Sequence, residues 1–110
     1  MVLKACLEAL EEKKGSDIVV LEVKNLTLIA DYFVIATGRS NTQLQALARH
    51  VEEKLEEEEI RPLRVEGFRE AQWILMDYGQ VVVHLFLPDQ REYYNLERLW
   101  GDAKIITDIP

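Results

Sequence analysis

The chain has 110 residues, of which 48% are hydrophobic and 30% are charged, and its formal net charge is −7. This length and composition indicate a single globular domain over residues 1–110, with a core that needs neither disulfides nor metals. The negative charge disfavours DNA binding, because an acidic chain lacks the attraction to phosphates that drives most nucleic-acid binding. It suits a basic protein partner instead.

The cysteine content and the N-terminal sequence indicate in which cellular compartment the protein is expected. Cys6 is the only cysteine, so no intramolecular disulfide is available, and its place in an apolar helical stripe predicts a core residue rather than a nucleophile. No apolar run approaches the roughly 18 residues that cross a bilayer, and the N-terminus has neither a signal-peptide nor a transit-peptide layout. We therefore expect a cytoplasmic protein without membrane contact.

The first half of the chain predicts a helix, two strands and a second helix. Apolar residues at helical spacing predict a helix over residues 2–14. Residues 17–23 and 32–37 are rich in Ile, Val and other apolar side chains, and the second run is almost wholly apolar, as in a strand covered on both faces. Ser40 then provides the N-cap of a helix predicted over residues 42–59.

The second half predicts three strands and a last helix. A short strand over residues 63–66 precedes a hairpin over residues 72–87, and a helix follows over residues 91–100. Four residues at helical spacing in that helix are expected in the core: Tyr93, Leu96, Leu99 and Trp100. The order α-β-β-α-β-β-β-α predicts an α/β (α+β) fold with a single mixed sheet of about five strands packed by helices.

The hairpin is the most informative segment. Gly79 supplies the positive φ that its tight turn needs, and alternation sorts the strand residues into two sets on opposite faces. The apolar set is Ile74, Met76, Tyr78, Val81, Val83 and Leu85; the mixed set is Trp73, Leu75, Asp77, Val82, His84 and Phe86. A face buried by the protein's own helices would rarely carry Asp77 and His84 unpaired, so the mixed set predicts contact with another protein. The alternative is that a helix covers this face and that Trp73 and Phe86 are core.

Several stretches in a fixed order resemble the ribosomal silencing factor family, RsfS, also called the Iojap-related family. The resemblance covers about residues 17–103, and it rests on residues 30–40, Glu66-Gly67, residues 73–79, 82–86 and 91–100. It implies a fold similar to the nucleotidyltransferase fold, without that activity.

The resemblance also implies a non-enzymatic function. Family members bind the large ribosomal subunit through ribosomal protein uL-fourteen and sterically block subunit joining, which represses translation. The resemblance assigns partner contact to Trp73, Asp77, Tyr78, Gly79, His84 and Phe86. It implies no catalytic residue, no metal and no cofactor. Minor contacts of Arg39 or Arg91 with ribosomal RNA are compatible with protein docking, and so is a homodimer that competes for the same face.

An enzyme is the main alternative. The turn Gly38-Arg39-Ser40 follows an apolar strand and precedes a helix, where backbone N–H groups can cradle a phosphate, as in a nucleotidyltransferase-like or nucleotide-binding domain. Such a transferase also needs closely spaced carboxylates for metal ions, whereas Glu66 and Asp77 stand singly. A self-associating structural module is the other alternative, since an exposed aromatic sheet face can pair with its own copy.

Overall fold

The computed structural model describes residues 2–106, which form one mixed sheet with helices on both faces. The elements in chain order are α1 Val2–Glu12, β1 Ser16–Glu22, β2 Tyr32–Thr37, α2 Asn41–Glu56, β3 Arg64–Glu66, β4 Trp73–Asp77, β5 Val81–Phe86, α3 Pro88–Tyr94, α4 Leu96–Leu99 and β6 Lys104–Ile105. The strands lie side by side in the order β3-β4-β5-β2-β1-β6. The predicted α/β fold with a single mixed sheet is confirmed.

The two central strands, β2 and β5, are the parallel pair of the sheet. Every residue of β5 is buried, and so are five of the six residues of β2. Their neighbours on either side, β4 and β1, pair with them antiparallel. Central strands are covered on both faces, which explains why both read as nearly continuous apolar runs.

One face of the sheet packs against α1 and α2, and we call it the helix-covered face. The apolar hairpin set lies here, with Ile74, Met76, Val83 and Leu85 almost fully buried. Cys6 packs into the same core without accessible surface, and burial raises the pKa of its thiol to about 12. The thiol is therefore protonated at neutral pH, and the prediction that Cys6 is a core residue is confirmed.

The opposite face holds the mixed hairpin set, and we call it the Trp73 face. Leu96 of α4 is buried against it, and Trp100 packs on it from the following turn. The predicted alternation of the hairpin between two faces is confirmed by this division. The Trp73 face is thus covered in part by the protein's own C-terminal segment.

The C-terminal region departs from the prediction in two ways. The predicted helix over residues 91–100 is split at Asn95, whose φ of +44° is left-handed, so its apolar stripe does not continue. Leu96 is buried, but Tyr93 and Leu99 are 81% and 74% exposed, and their prediction as core residues is wrong. The tail also adds a sixth strand, β6, in which Lys104 and Ile105 pair with β1.

The helices of the chain are short relative to a bilayer. Within residues 2–106, none combines the length and the apolar character that a membrane span needs.

Candidate functional site

The hairpin register brings three of the predicted site residues together. Trp73 lies opposite Phe86, and the next pair but one is Leu75 with His84. At the turn, the Tyr78 N–H donates to the Val81 carbonyl at 2.9 Å, and Gly79 has a φ of +84°. Gly79 is thus the first of the two central turn residues, where a type II′ turn needs positive φ. This turn sets the register that aligns Trp73 with Phe86.

Trp73 is the centre of an aromatic cluster. Its ring stacks on Phe86 with centroids 5.0 Å apart, and Tyr94 of α3 packs against it at 4.7 Å. Its indole N–H donates to Nδ1 of His84 at 3.2 Å. The side chain is half-buried, so part of the ring stays accessible while three neighbours fix its orientation.

His84 lies behind Trp73 and is only 5% exposed. Burial lowers the pKa of its imidazole to about 4, so the ring is neutral at pH 7. Because Nδ1 accepts from Trp73, the proton of the neutral ring is on Nε2. This Nε2 is buried and has no hydrogen-bond partner among residues 2–106. The predicted partner contact of His84 is therefore not a contact of an exposed side chain.

Phe86 is buried, and so is the hydroxyl of the partly buried Tyr78. Phe86 has no accessible surface and forms the platform under Trp73, so it cannot touch a partner directly while Trp73 holds this position. Tyr78 points to the helix-covered face, its hydroxyl is buried without a partner in the described chain, and burial raises its pKa. The six predicted residues thus do not form one exposed cluster.

Asp77 lies at the other end of β4, about 13 Å from Trp73 at the usual rise of a strand. Its Oδ1 accepts from the Gly79 N–H at 2.8 Å, and its Oδ2 lies 3.4 Å from Nε of Arg64. Both Asp77 and His84 therefore have partners inside the chain. The prediction of an interface assumed that Asp77 and His84 lack partners within the chain, and this assumption is wrong.

Exposed side chains of α3 lie near Trp73, and α4 adds the exposed Leu99. Tyr93 packs on Tyr94 with ring centroids 5.1 Å apart, and Tyr94 packs on Trp73. Tyr93, Tyr94 and Leu99 line one depression of about 560 Å³, together with Glu92, Asn95 and Arg98. We call Trp73, Tyr93, Tyr94 and Leu99 the exposed aromatic patch. Helical periodicity placed Tyr93 and Leu99 in the core, and the only sequence signal against it is Asn95.

Two sets of side-chain contacts position α3 and α4 around this patch. Asn95 ends α3 in a left-handed conformation, and its side chain accepts from the Arg98 N–H at 3.3 Å to cap α4. The nearly buried Arg91 donates to Thr37 at 2.7 Å and pairs with Glu97 at 3.0 Å. Arg91 thereby ties both helices to the end of β2, and it is not free for ribosomal RNA.

The features of the enzyme alternative do not assemble into one site. The Ser40 hydroxyl accepts from the Gln43 N–H at 3.1 Å, and the Arg39 N–H donates to the Gln43 side chain at 2.7 Å, so two N–H groups at the start of α2 are engaged. Arg64 lies between Glu66 and Asp77 and pairs with both. Residues 2–106 contain no group of three His, Cys, Asp or Glu side chains placed to hold a metal ion.

Comparison with known proteins identifies a matching family and relatives of the chain. The family model described as "Ribosomal silencing factor during starvation" matches residues 1–110. The chain is 46% identical to ribosomal silencing factor RsfS of Bacillus subtilis over 104 residues, which cover 94% of this chain and 88% of that protein. It is 38% identical to the chloroplastic protein Iojap of Zea mays over 96 residues, 87% of this chain and 42% of that longer protein. A crystal structure of a Chromobacterium violaceum protein superposes with a TM-score of 0.89 at 41% identity, covering 99% of this chain and 91% of that one.

Proposed function

Because the chain belongs to the ribosomal silencing factor family, we propose that it binds the large ribosomal subunit through protein uL-fourteen and blocks joining of the small subunit. Family membership itself gives the chain a ribosome-associated role in translational silencing. The partner and the steric mechanism are the parts that we propose. Neither needs a catalytic residue, a metal or a cofactor.

The observation that carries the proposal is the exposed aromatic patch. Large aromatic side chains dominate the binding energy of protein interfaces, and a cluster of them on a monomer surface marks a contact site. Tyr93 and Leu99 are largely exposed, and Tyr94 packs on both Tyr93 and the half-buried Trp73. We place the centre of the docking surface here.

The residues behind the patch have a supporting role in this proposal. Phe86 stacks under Trp73, and His84 accepts its indole N–H, so Trp73 is held in one orientation before any partner arrives. An anchor that is ordered in advance loses less conformational entropy on binding. His84 and Phe86 therefore contribute to binding through Trp73, not through contacts of their own.

Asp77 and Gly79 form the other end of the proposed surface. Asp77 lies on the Trp73 face at the turn, and its carboxylate remains partly accessible beside Arg64. A basic partner can approach this carboxylate, and such rim charges act mainly on the association rate and on partner choice. In this arrangement the exposed aromatic patch provides most of the affinity for the partner, and Asp77 helps to orient the two proteins.

The proposed mechanism depends on the volume that the docked domain occupies. The described domain measures 33 × 33 × 24 Å, and α1 and α2 lie on the side of the sheet opposite Trp73. When the Trp73 face is docked, the sheet and both helices project from the large subunit. The body of the domain, which measures 24 Å even along its shortest dimension, then occupies the space that the small subunit needs.

Co-sedimentation with isolated large subunits tests the proposed partner. We expect the native chain to sediment with the subunits and a Tyr93→Ala/Leu99→Ser variant to stay in the supernatant. Leu28→Ser is the matched control, because Leu28 is a fully exposed apolar residue of the β1–β2 connection, outside the patch. Equal binding of all three proteins would contradict the docking surface, and absence of binding by the native chain would contradict the partner.

A subunit-joining assay tests the mechanism separately. Isolated subunits are mixed with and without the protein, and the fraction of joined ribosomes is read by light scattering or on a sucrose gradient. We expect the native chain to lower this fraction and the patch variant to leave it unchanged. A chain that binds the large subunit but does not reduce joining would refute steric exclusion while leaving the docking surface intact.

A further inference from the structure

A polar cleft lies at the end of the sheet where the two parallel strands stop. The strands β2 and β5 end side by side at Thr37 and Phe86, and α3 begins at Pro88. The cleft has a volume of about 450 Å³, and Pro88 is the one lining residue without a polar side-chain group. In α/β folds, small ligands bind in the crevice outside the carboxyl ends of parallel strands. The position and the polarity of this cleft therefore fit a small charged ligand.

An irregularity of β1 places Asp17 in this cleft. The register of β1 against β2 shifts between Ser16 and Val19, and Asp17 between them has a left-handed φ of +49°. A β-bulge re-aims a side chain, and residues with such a backbone conformation cluster at functional sites. Asp17 lines the cleft beside Thr37, which pairs with Ser16 in the sheet.

Three charged side chains of the cleft have no partner in the described part of the chain. Glu97 is already paired with Arg91. In contrast, Asp17, Arg39 and Glu92 are exposed and make neither an ion pair nor a side-chain hydrogen bond with residues 2–106. The cleft thus presents one positive and two negative charges that are not balanced within the described chain.

We propose that this cleft binds a free α-amino acid with a cationic side chain, such as lysine. The carboxylate of the ligand pairs with the guanidinium of Arg39, and its two ammonium groups pair with Asp17 and Glu92. One carboxylate and two cations match the free charges of the cleft one for one. A nucleotide does not match, because its phosphates would meet two carboxylates and a single cation.

Arg91 gives the cleft a fixed wall. Its guanidinium donates to Thr37 at 2.7 Å and pairs with Glu97 at 3.0 Å, so the wall is ordered before a ligand arrives. The three charges that pair with the ligand are exposed to solvent, which weakens each contact. We expect a dissociation constant for lysine on the order of 1 mM.

The site is separable from the proposed ribosome docking. Glu92 lines both the cleft and the depression of the exposed aromatic patch, whereas Asp17 and Arg39 line the cleft alone of these two. Ligand binding can be measured on the isolated chain, so failure of the proposed docking leaves this inference standing, and the reverse also holds.

Titration of the isotope-labelled full chain, followed by NMR at constant ionic strength, tests the site with three probes. Lysine is compared with norleucine, which lacks the side-chain ammonium group, and with cadaverine, which lacks the carboxylate. We expect lysine to shift the amide signals of Asp17, Arg39 and Glu92 in a saturable way. Each of the other two probes should bind at least about fivefold more weakly, because it loses one charge pair.

Variants assign the three charges. Arg39→Gln should weaken lysine binding at least about fivefold and leave cadaverine binding unchanged. Asp17→Asn, in which asparagine tolerates the left-handed backbone, and Glu92→Gln should each weaken the binding of both probes. Arg61→Gln is the matched control, because Arg61 is an exposed arginine outside the cleft.

The opposite results overturn the inference. They are the absence of a saturable shift with lysine, equal affinities for lysine and norleucine, and an Arg39→Gln variant that binds lysine like the native chain. Cadaverine that binds as tightly as lysine would assign the cleft to a diamine and remove the carboxylate from the proposal. The spectrum of each variant without ligand checks its fold, and the comparison of the three probes on the native chain needs no variant.

Discussion

The indole N–H of Trp73 donates a hydrogen bond to Nδ1 of His84 across the β4–β5 pair, at 3.2 Å. The bond fixes the Trp73 ring and at the same time fixes the tautomer of His84, whose proton must be on Nε2. A protonated imidazole would carry a hydrogen on Nδ1 and could not accept from the indole. The orientation of the half-buried Trp73 is therefore linked to the neutral state of a buried histidine.

The first prediction concerns the pH dependence of stability. Burial lowers the pKa of folded His84 from 6.5 to about 4. Between these values the unfolded chain binds a proton that the folded chain does not, so the free energy of unfolding falls as the pH falls through this window. The contribution of His84 is fully present above pH 6.5, and about 3 kcal/mol is lost by pH 4. Urea denaturation at pH 7, 5.5 and 4.5 measures the loss.

His84→Gln is the matched variant for this measurement. A glutamine oxygen can accept from the Trp73 indole, and the side chain does not titrate. The variant should therefore lose less stability than the native chain between pH 7 and pH 4.5, although carboxylates titrate in both. Identical slopes of stability against pH in the two proteins would show that His84 does not carry this dependence.

Much of the fold was predictable, because successive side chains of the hairpin strands alternate between the two faces of the sheet. Once the turn at Gly79 is placed, alternation alone puts Ile74 and Leu85 on one face and Trp73 and Phe86 on the other. The strand β6 was not predictable, because two residues carry no period. It forms because Lys104 and Ile105 pair with Glu22 and Leu21 of β1. These residues are far apart in the sequence, and local sequence patterns do not predict such a pairing.

The second prediction separates steric overlap from backbone strain at two glycines. Gly67 and Gly79 both have positive φ, but a Cβ on Gly67 would lie 2.1 Å from the Trp73 carbonyl oxygen. At Gly79 the nearest atom is a Leu63 side-chain carbon at 3.7 Å. Gly79→Ala should therefore cost only the backbone penalty of about 1 to 2 kcal/mol. Gly67→Ala should cost at least about 1 kcal/mol more, because β4 must shift.

Chemical denaturation of both glycine variants measures the difference, and tryptophan fluorescence in a Trp100→Phe background reports on Trp73. The emission spectrum should change in Gly67→Ala and stay native in Gly79→Ala, since only the former moves the strand that carries Trp73. Equal destabilisation of the two variants would mean that backbone strain alone decides both positions.

The third prediction concerns the charge of Asp77. Asp77→Asn keeps an oxygen that can accept from the Gly79 N–H but removes the negative charge, whereas Asp77→Ala removes both. Asp77→Ala should lose about 1 kcal/mol of stability through the unpaired turn N–H, and Asp77→Asn should lose less. Both should bind large subunits more weakly if a basic partner approaches this carboxylate, and Asp77→Lys more weakly still.

Salt separates the two effects of Asp77. Raising the ionic strength should narrow the difference in binding between the native chain and Asp77→Asn, because the carboxylate is partly accessible and its field is screened. The difference in stability between Asp77→Ala and Asp77→Asn should persist, because it comes from one hydrogen bond. If salt does not change the difference in binding between the native chain and Asp77→Asn, Asp77 is buried away from water in the complex.

The exposure of the candidate site residues was less predictable than the fold, because it depends on a hydrogen bond between residues that are distant in sequence. The sequence indicated Trp73 through its strand neighbours, but the burial of Phe86 depends on where α3 packs. That placement rests on Arg91 reaching Thr37, which is 54 positions away in sequence. It also rests on Asn95 adopting a left-handed conformation that helical periodicity does not signal. Exposure of Tyr93 and Leu99 follows from the same break.

The fourth prediction distinguishes direct contact from support by comparing two aromatic residues of the Trp73 region. Phe86 is fully buried and Tyr93 is largely exposed. Phe86→Ala should lower the free energy of unfolding by about 3 to 5 kcal/mol, because it leaves a cavity under Trp73. Tyr93→Ala should change stability by no more than about 0.5 kcal/mol. Its binding to large subunits should nevertheless weaken by about 2 kcal/mol if Tyr93 is an anchor.

Phe86→Leu completes this comparison, because it keeps most of the buried volume and removes only the ring on which Trp73 stacks. If Phe86 acts through Trp73, this variant should stay folded and bind more weakly than the native chain but more tightly than Trp73→Ala. Titration of large subunits with labelled protein gives the three affinities, and thermal denaturation gives the stabilities. Native affinity in both Phe86→Leu and Tyr93→Ala would move the docking surface away from this patch altogether.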